Sequence, residues 1–295
     1  MRPDRQAELR ADLQADPQAL GPAFHFVPPI APLRGWVRQH QVIRLRFPAG
    51  TVVPTKPYWP RPAAALAFYP RDRERIGMGR DAPSLLKPRA ALIGQPTVLT
   101  QRQGGHDFSV YQIEFEPGAL YRLTGLPLDR LSDTCLDAES VLPSGFRSLV
   151  DRIEDLDDPV AQVAAAEAWL LGLVARSRWP AKPGDRIASR LLEDPAADLE
   201  DLARRHGVVA RHLRRQFDQR VGVGPKLFAR IARFDRLVRA ANRAPDEHWL
   251  GLALDAGYHD HRHLARDFRQ FTLATPGEFV ALEARSPERG FGFCE

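Results

Sequence analysis

The sequence has 295 residues, 44% of them hydrophobic and 27% charged, with a net charge of +5; at about 150 residues per domain that length suits two domains with ordinary cores. The composition excludes wholesale disorder, and no apolar run approaches the roughly 20 residues that cross a bilayer. Residues 1–21 lack the apolar stretch of a secretory signal, so a cytoplasmic location without membrane contact is expected.

The elements are read in chain order. Residues 22–115 hold 13 of the 26 prolines and several short apolar stretches. At 42–47, Ile43, Leu45 and Phe47 alternate with Arg44 and Arg46, the period-two pattern of a strand with one wet face. Residues 63–69, 90–93, 97–101 and 108–115 are further predicted strands, the last two joined as a hairpin across Gly104-Gly105. A small antiparallel sheet or barrel is the expected assembly. Helices follow at 117–124, stopped by Gly125, and from a predicted N-cap at Ser144 to 155. Asp158-Pro159 predicts an N-cap and first-turn proline for a helix over 160–178. Its apolar stripe suits packing on the sheet or a dimer seam. The segment 179–185 is rich in proline and glycine and marks a domain boundary.

Beyond that boundary the sequence repeats itself. Leu213, Arg215 and Phe217 recur 51 positions later as Leu264, Arg266 and Phe268, and Pro225 and Phe228 recur as Pro276 and Phe279. Each copy reads as a helix (198–206; 249–256), a glycine-containing turn and a second helix (210–220; 261–271), which is a helix-turn-helix arrangement. On the second helices, Leu213 and Phe217 or Leu264, Phe268 and Phe271 face inward. Arg211, Arg214 and Arg215 point the other way in the first copy, and Arg262, Ala265 and Arg266 in the second, with His261 at the leading end. An arginine-bearing outer face suits the major groove, where the guanidinium fork pairs with guanine or holds phosphates. Asp260 is the predicted N-cap of the second of these helices; Val209 leaves the first weakly capped. Between the copies a long amphipathic helix is predicted over 226–242. Leu227, Ile231, Phe234, Val238 and Ala241 form its inner stripe, and Lys226, Arg230 and Arg233 lie off that stripe as candidate phosphate contacts. From Arg204 to Arg243, twelve Arg or Lys stand against two acids, while the remaining 30 basic and 35 acidic residues sum to −5. A basic block on an acidic protein is the footprint of a polyanion-binding surface; charge alone fits a solvated arginine-rich face equally well.

Residues 185–285 resemble the DNA-binding domain of the AraC/XylS transcription regulators. The more specific second signature of that family is met by Ala253, Gly257, Tyr258, Asp260, Leu264, Arg266, Phe268, Arg269, Thr275, Pro276 and Phe279. The departures are Val209 for a usual serine, Arg262 for a small polar residue and Leu273 for a frequent glycine. The resemblance implies that Arg211, Arg214 and Arg215 meet one major groove and His261, Arg262, Ala265 and Arg266 the next. Residues 113–133 resemble the end of the sensor or accessory domain of one group of these regulators, which implies an N-terminal cupin-like β-barrel with a helical extension, used for effector sensing, dimerisation or both. The expected fold is α+β: an extension at 1–21, a sensor domain at 22–178, a linker at 179–184, the all-α double helix-turn-helix domain at 185–285 and a tail at 286–295. Expected partners are double-stranded DNA, a small-molecule effector, RNA polymerase and a second copy of the chain, with no cofactor.

Enzymatic alternatives lack their chemistry in the sequence. A cupin-type metal site needs clustered histidines, whereas His25, His40 and His106 are isolated. A DNA alkyl-repair reading needs an activated cysteine, and Cys135 and Cys294 have no setting that would lower a thiol pKa. His259, His261 and His263 fall on the turn and recognition helix, where groove contacts or capping explain them better than metal binding.

Overall fold

The computed structural model describes residues 23–79, 84–243 and 249–284; the extension 1–21, the tail 286–295 and Cys294 lie outside them. Two antiparallel sheets form the N-terminal half. One runs in the order β1 (Ala23–Val27), β2 (Val37–Arg46), β9 (Asp107–Phe115), β4 (Ala65–Phe68), β7 (Ala90–Ile93), β10 (Cys135–Asp137). The other runs β3 (Lys56–Tyr58), β8 (Thr100–Gln103), β5 (Arg75–Met78), β6 (Leu85–Leu86).

The larger sheet is built on the long pair β2–β9, in which Val42 faces Tyr111 and Ile43 faces Val110. Alternate residues go to opposite faces. Val42, Leu66, Phe68, Leu92, Tyr111 and Ile113 enter a core shared with helices, while Ile43, Ala67, Tyr69, Ala91, Phe108 and Val110 form a second cluster on the other face. The wet face expected for the strand at 42–47 is therefore confined to its end, where Arg44 is half-buried and Arg46 exposed. The expected hairpin at Gly104-Gly105 is not formed, because β8 pairs with β3 and β5 and β9 with β2 and β4. The chain crosses there between the sheets. Asp72 accepts the amide of Asp107 at 2.9 Å, and a side chain on Gly105 would strike Asp72.

Helices cover the inner face of the larger sheet: α1 (Ala119–Thr124), α2 (Ala138–Val141), α3 (Phe146–Asp155) and α4 (Pro159–Ala175). Gly125 ends α1 in the left-handed region, and Asp158 caps α4 by accepting the amide of Val160, both as expected. The N-cap of α3 is Gly145, one residue beyond the expected Ser144, with no side-chain cap. The apolar stripe of α4 (Val163, Ala166, Leu170) is consumed by its own sheet, which settles the choice between core and dimer seam for those residues.

The C-terminal half contains α5 (Pro183–Glu193), α6 (Leu199–Arg205), α7 (Ala210–Val221), α8 (Pro225–Arg243), α9 (Trp249–Asp255), α10 (His261–Thr272) and α11 (Pro276–Ala284). Two cores lie side by side. Ile187, Leu191, Leu202, Leu213, Phe217 and Phe228 fill the first; Ile231, Phe234, Leu252, Leu264, Phe268 and Phe271 fill the second. The 19-residue α8 serves both, and Leu227 packs against each. Helices α5 and α11 were not anticipated, although Pro183 at the start of α5, with Ile187 and Leu191 four apart, is a legible signal.

Candidate nucleic-acid interface

Each repeat is organised around one tight turn. Gly207 and Gly257 have φ of 61° and 95°, a region that L side chains avoid. Ahead of these turns Asp198 caps α6 through the amides of Glu200 and Asp201, and after the second turn Asp260 caps α10 by accepting the amide of His263 at 2.8 Å. The Asp260 carboxyl is held below its ordinary value by that hydrogen bond. Val209 occupies the equivalent position before α7, with no side-chain cap and 73% exposure.

The C-termini of the two second helices differ. Gly222 ends α7 at φ 100°, and its counterpart Leu273 ends α10 at φ 57°. Left-handed backbone costs a non-glycine residue about 1–2 kcal/mol, partly offset by glycine's larger entropy loss on folding. Leu273→Gly is therefore expected to stabilise the chain by about 0.5–1 kcal/mol in chemical denaturation.

Burial separates the faces as the repeat pattern predicts. Leu213, Phe217, Leu264, Phe268 and Phe271 are buried; Arg211, Arg214, Arg215, His261, Arg262 and Arg266 are exposed, with Ala265 half-buried beside them. Their commitments differ. Arg214 donates from Nε to Asp218 at 2.8 and 2.9 Å, and its guanidinium lies across the bare Cα of Gly224. Arg215 meets His212 Nδ1 at 2.8 Å. His263, beside His261 and Arg262, faces the Asp260 carboxylate at 3.1 Å.

The cations of α8 divide as well. Lys226 is exposed. Arg230 donates to buried Asp267 at 2.6 and 2.9 Å and to Gln270 at 2.6 Å. Arg233 sits over the Tyr258 ring at 5.4 Å and reaches the Pro195 carbonyl. Arg230 and Arg233 thus hold α8 to its neighbours, a use that helical spacing alone could not distinguish from phosphate binding. Among the described residues, six of the twelve cations in the basic block are ion-paired: Arg204, Arg205, Arg214, Arg220, Arg230 and Arg239.

Arg220 is the strongest case of a structural cation. It is buried and donates to both oxygens of Asp185 at 2.6 Å and to the Pro180 carbonyl at 3.0 Å, with Tyr121 of α1 stacked 4.6 Å from its guanidinium. The two halves also meet where Ser132 donates to the Gly222 carbonyl at 2.7 Å and Gln219 to the Tyr121 hydroxyl at 3.1 Å. Beside these contacts the outer face of α7 and residues 127–130 enclose an open groove of about 510 Å³.

A second feature lies between the sheets, where a cavity of about 60 Å³ is lined by Arg61, Tyr69, Glu74, Arg102, Gln112 and Glu114, among others. Burial opposes the charge of Glu74, yet Lys87 and Arg102 hold its carboxyl below the ordinary value. Lys87, drawn down by burial, contacts Glu74 and the Tyr69 hydroxyl. Trp59 also lines this cavity and stands edge-on to Phe279 of α11, 5.0 Å between ring centres. Cys135 is half-buried, and burial pushes its thiol up, the opposite of an activated nucleophile. Among the described residues no group of three His, Cys, Asp or Glu is placed to hold a metal, and no helix is long and apolar enough to cross a membrane.

Comparison with known proteins agrees with the repeat. A family described as a helix-turn-helix domain matches residues 202–281. A search of curated proteins finds no match. Among solved structures, ToxT from Vibrio cholerae aligns with a TM-score of 0.46 at 8% identity, over 83% of this chain and 98% of that one. ToxT from the same organism with unsaturated fatty acid bound gives 0.46 at 10%, over 82% and 94%. The AraC-like transcriptional activator CuxR gives 0.25 at 14%, over 85% and 94%. Residues 202–281 are a helix-turn-helix domain.

Proposed function

We propose that this chain is an AraC-type transcription regulator that reads a specific duplex sequence by placing α7 and α10 in successive major grooves. The carrying observation is the exposure of the outer arginines on both second helices while their inner stripes are sequestered. The spacing of the helices supports the same reading. Helix α8 has 19 residues, about 28 Å at 1.5 Å per residue, which is comparable with the ~34 Å of one turn of B-DNA. Arg211, Arg214 and Arg215 read or clamp one groove, and His261, Arg262, Ala265 and Arg266 the next. Lys226 supplies a phosphate contact; Arg230 and Arg233 are omitted from that role because they are half-buried against Asp267 and Tyr258, whereas Arg214 and Arg215 stay exposed beside their partners.

Selection of bound duplexes from a random pool by the full chain tests this. Two sequence elements about one helical turn apart are expected, and a pool that stays random after selection overturns the proposal. With a selected duplex, Arg211→Ala and Arg262→Ala are each expected to cost about 1–3 kcal/mol if they contact bases. A loss equal on all duplexes, with a shallower salt dependence, would reassign either residue to phosphate.

We assign residues 22–178 to sensing or dimerisation and 185–285 to DNA reading, with 179–184 between them. An effector entering between the sheets would have to widen the two-signed cavity there, which at about 60 Å³ is smaller than a ligand site, and Trp59 supplies a contact from that cavity to α11. RNA polymerase and a second copy of the chain are the macromolecular partners this role calls for.

A further inference from the structure

The groove beside α7 is walled on one side by the N-terminal half. Residues Pro127, Asp129 and Arg130 face Arg211, Arg215 and Asp218 across it. The wall is fixed at both ends. Leu128 is buried in the N-terminal core, and Ser132 is hydrogen-bonded to the residue that ends α7. It therefore cannot swing without disturbing α7 itself.

The charges of the groove are not symmetric. With Arg214 included, four arginines face two acids. Asp218 is occupied by Arg214, and the Asp129 carboxylate accepts the amide of the next residue at 3.1 Å. Arg130 and Arg211 are exposed, and among the described residues no hydrogen bond or ion pair engages either guanidinium. Two uncommitted guanidinium groups across an open groove, contiguous with the exposed face of the second helix of the repeat, match a phosphodiester strand: diffuse negative charge, paired non-bridging oxygens for a planar fork and no base edge to read.

Building on the DNA-reading proposal above, we infer that Arg130, a residue of the N-terminal half, is a DNA-contacting residue that holds a backbone phosphate flanking the groove entered by α7. The N-terminal half then contributes directly to the affinity of the chain for DNA.

The test uses the full chain and a selected duplex titrated across several salt concentrations, comparing wild type with Arg130→Ala, Arg130→Lys and Arg211→Ala. Loss of one phosphate contact should lower the slope of log affinity against log salt by about 0.9 and weaken binding roughly eightfold at 0.1 M salt. The loss should be equal for selected and unrelated duplexes, and Arg130→Lys should retain most of the slope. Arg130 is exposed, so an unchanged thermal midpoint should confirm that the variant folds. An Arg130→Ala chain with wild-type affinity and slope overturns the inference, and so does one that binds more tightly, which would mean that the wall obstructs α7. If Arg211→Ala weakens binding while Arg130→Ala does not, only this inference fails. If wild type binds no duplex, the reading beneath it fails too.

Discussion

Leu264→Asp is expected to unfold the second helix-turn-helix unit. Leu264 is 4% exposed in a core with Phe234, Phe268, Phe271 and Tyr258. None of these apolar rings can neutralise a carboxylate, and an unpaired buried charge costs several kcal/mol. Loss of helical circular dichroism and of DNA binding together is the expected readout, whereas exposed Arg262→Ala should lose binding alone. A Leu264→Asp chain that melts within 1 °C of wild type would show the assignment of faces on α10 to be wrong.

Arg220→Ala is the second large effect. It leaves Asp185 buried with its helix-capping bond to the Lys182 amide but without its ion-pair partner. Removing one partner of a buried pair costs about 3–5 kcal/mol. Denaturant unfolding measures the loss, and Arg220→Met with Asp185→Asn should cost less than the two single changes added, because no charge is then stranded. The Tyr121 stacking and the bond to Pro180 place this pair at the join between the two halves, so protease sensitivity near residue 180 should rise in Arg220→Ala. A single variant within 1 kcal/mol of wild type would mean that the pair contributes little.

Much of the C-terminal half could be read from the sequence because each helix there carries its own evidence. The turns at Gly207 and Gly257, the cap at Asp260 and the stripe on α8 all depend on neighbours within a few residues. The uses of individual arginines were less accessible. Arg211 and Arg220 both contribute +1 to the same basic block, but Arg220 is buried because Asp185, 35 residues earlier, lies beside it. The same limit applied to Arg230, whose partner Asp267 belongs to another helix. In the N-terminal half, alternation identified the stretch around β2, but an apolar pattern does not specify whether adjacent strands share a sheet. The crossing at Gly104-Gly105 depends on Asp72 and on pairing partners remote in sequence. Trp59 and Arg130 are single residues in segments without periodicity, and only their tertiary neighbours draw attention to them.

The sharing of α8 by both cores has a consequence for operator architecture. On the proposed reading, α7 and α10 ride on one stiff keel and have no hinge with which to follow a shifted half-site. Tolerance to inserted base pairs must then come from bending or twisting of the duplex, and binding should oscillate with the phase of the insertion instead of declining smoothly with its length.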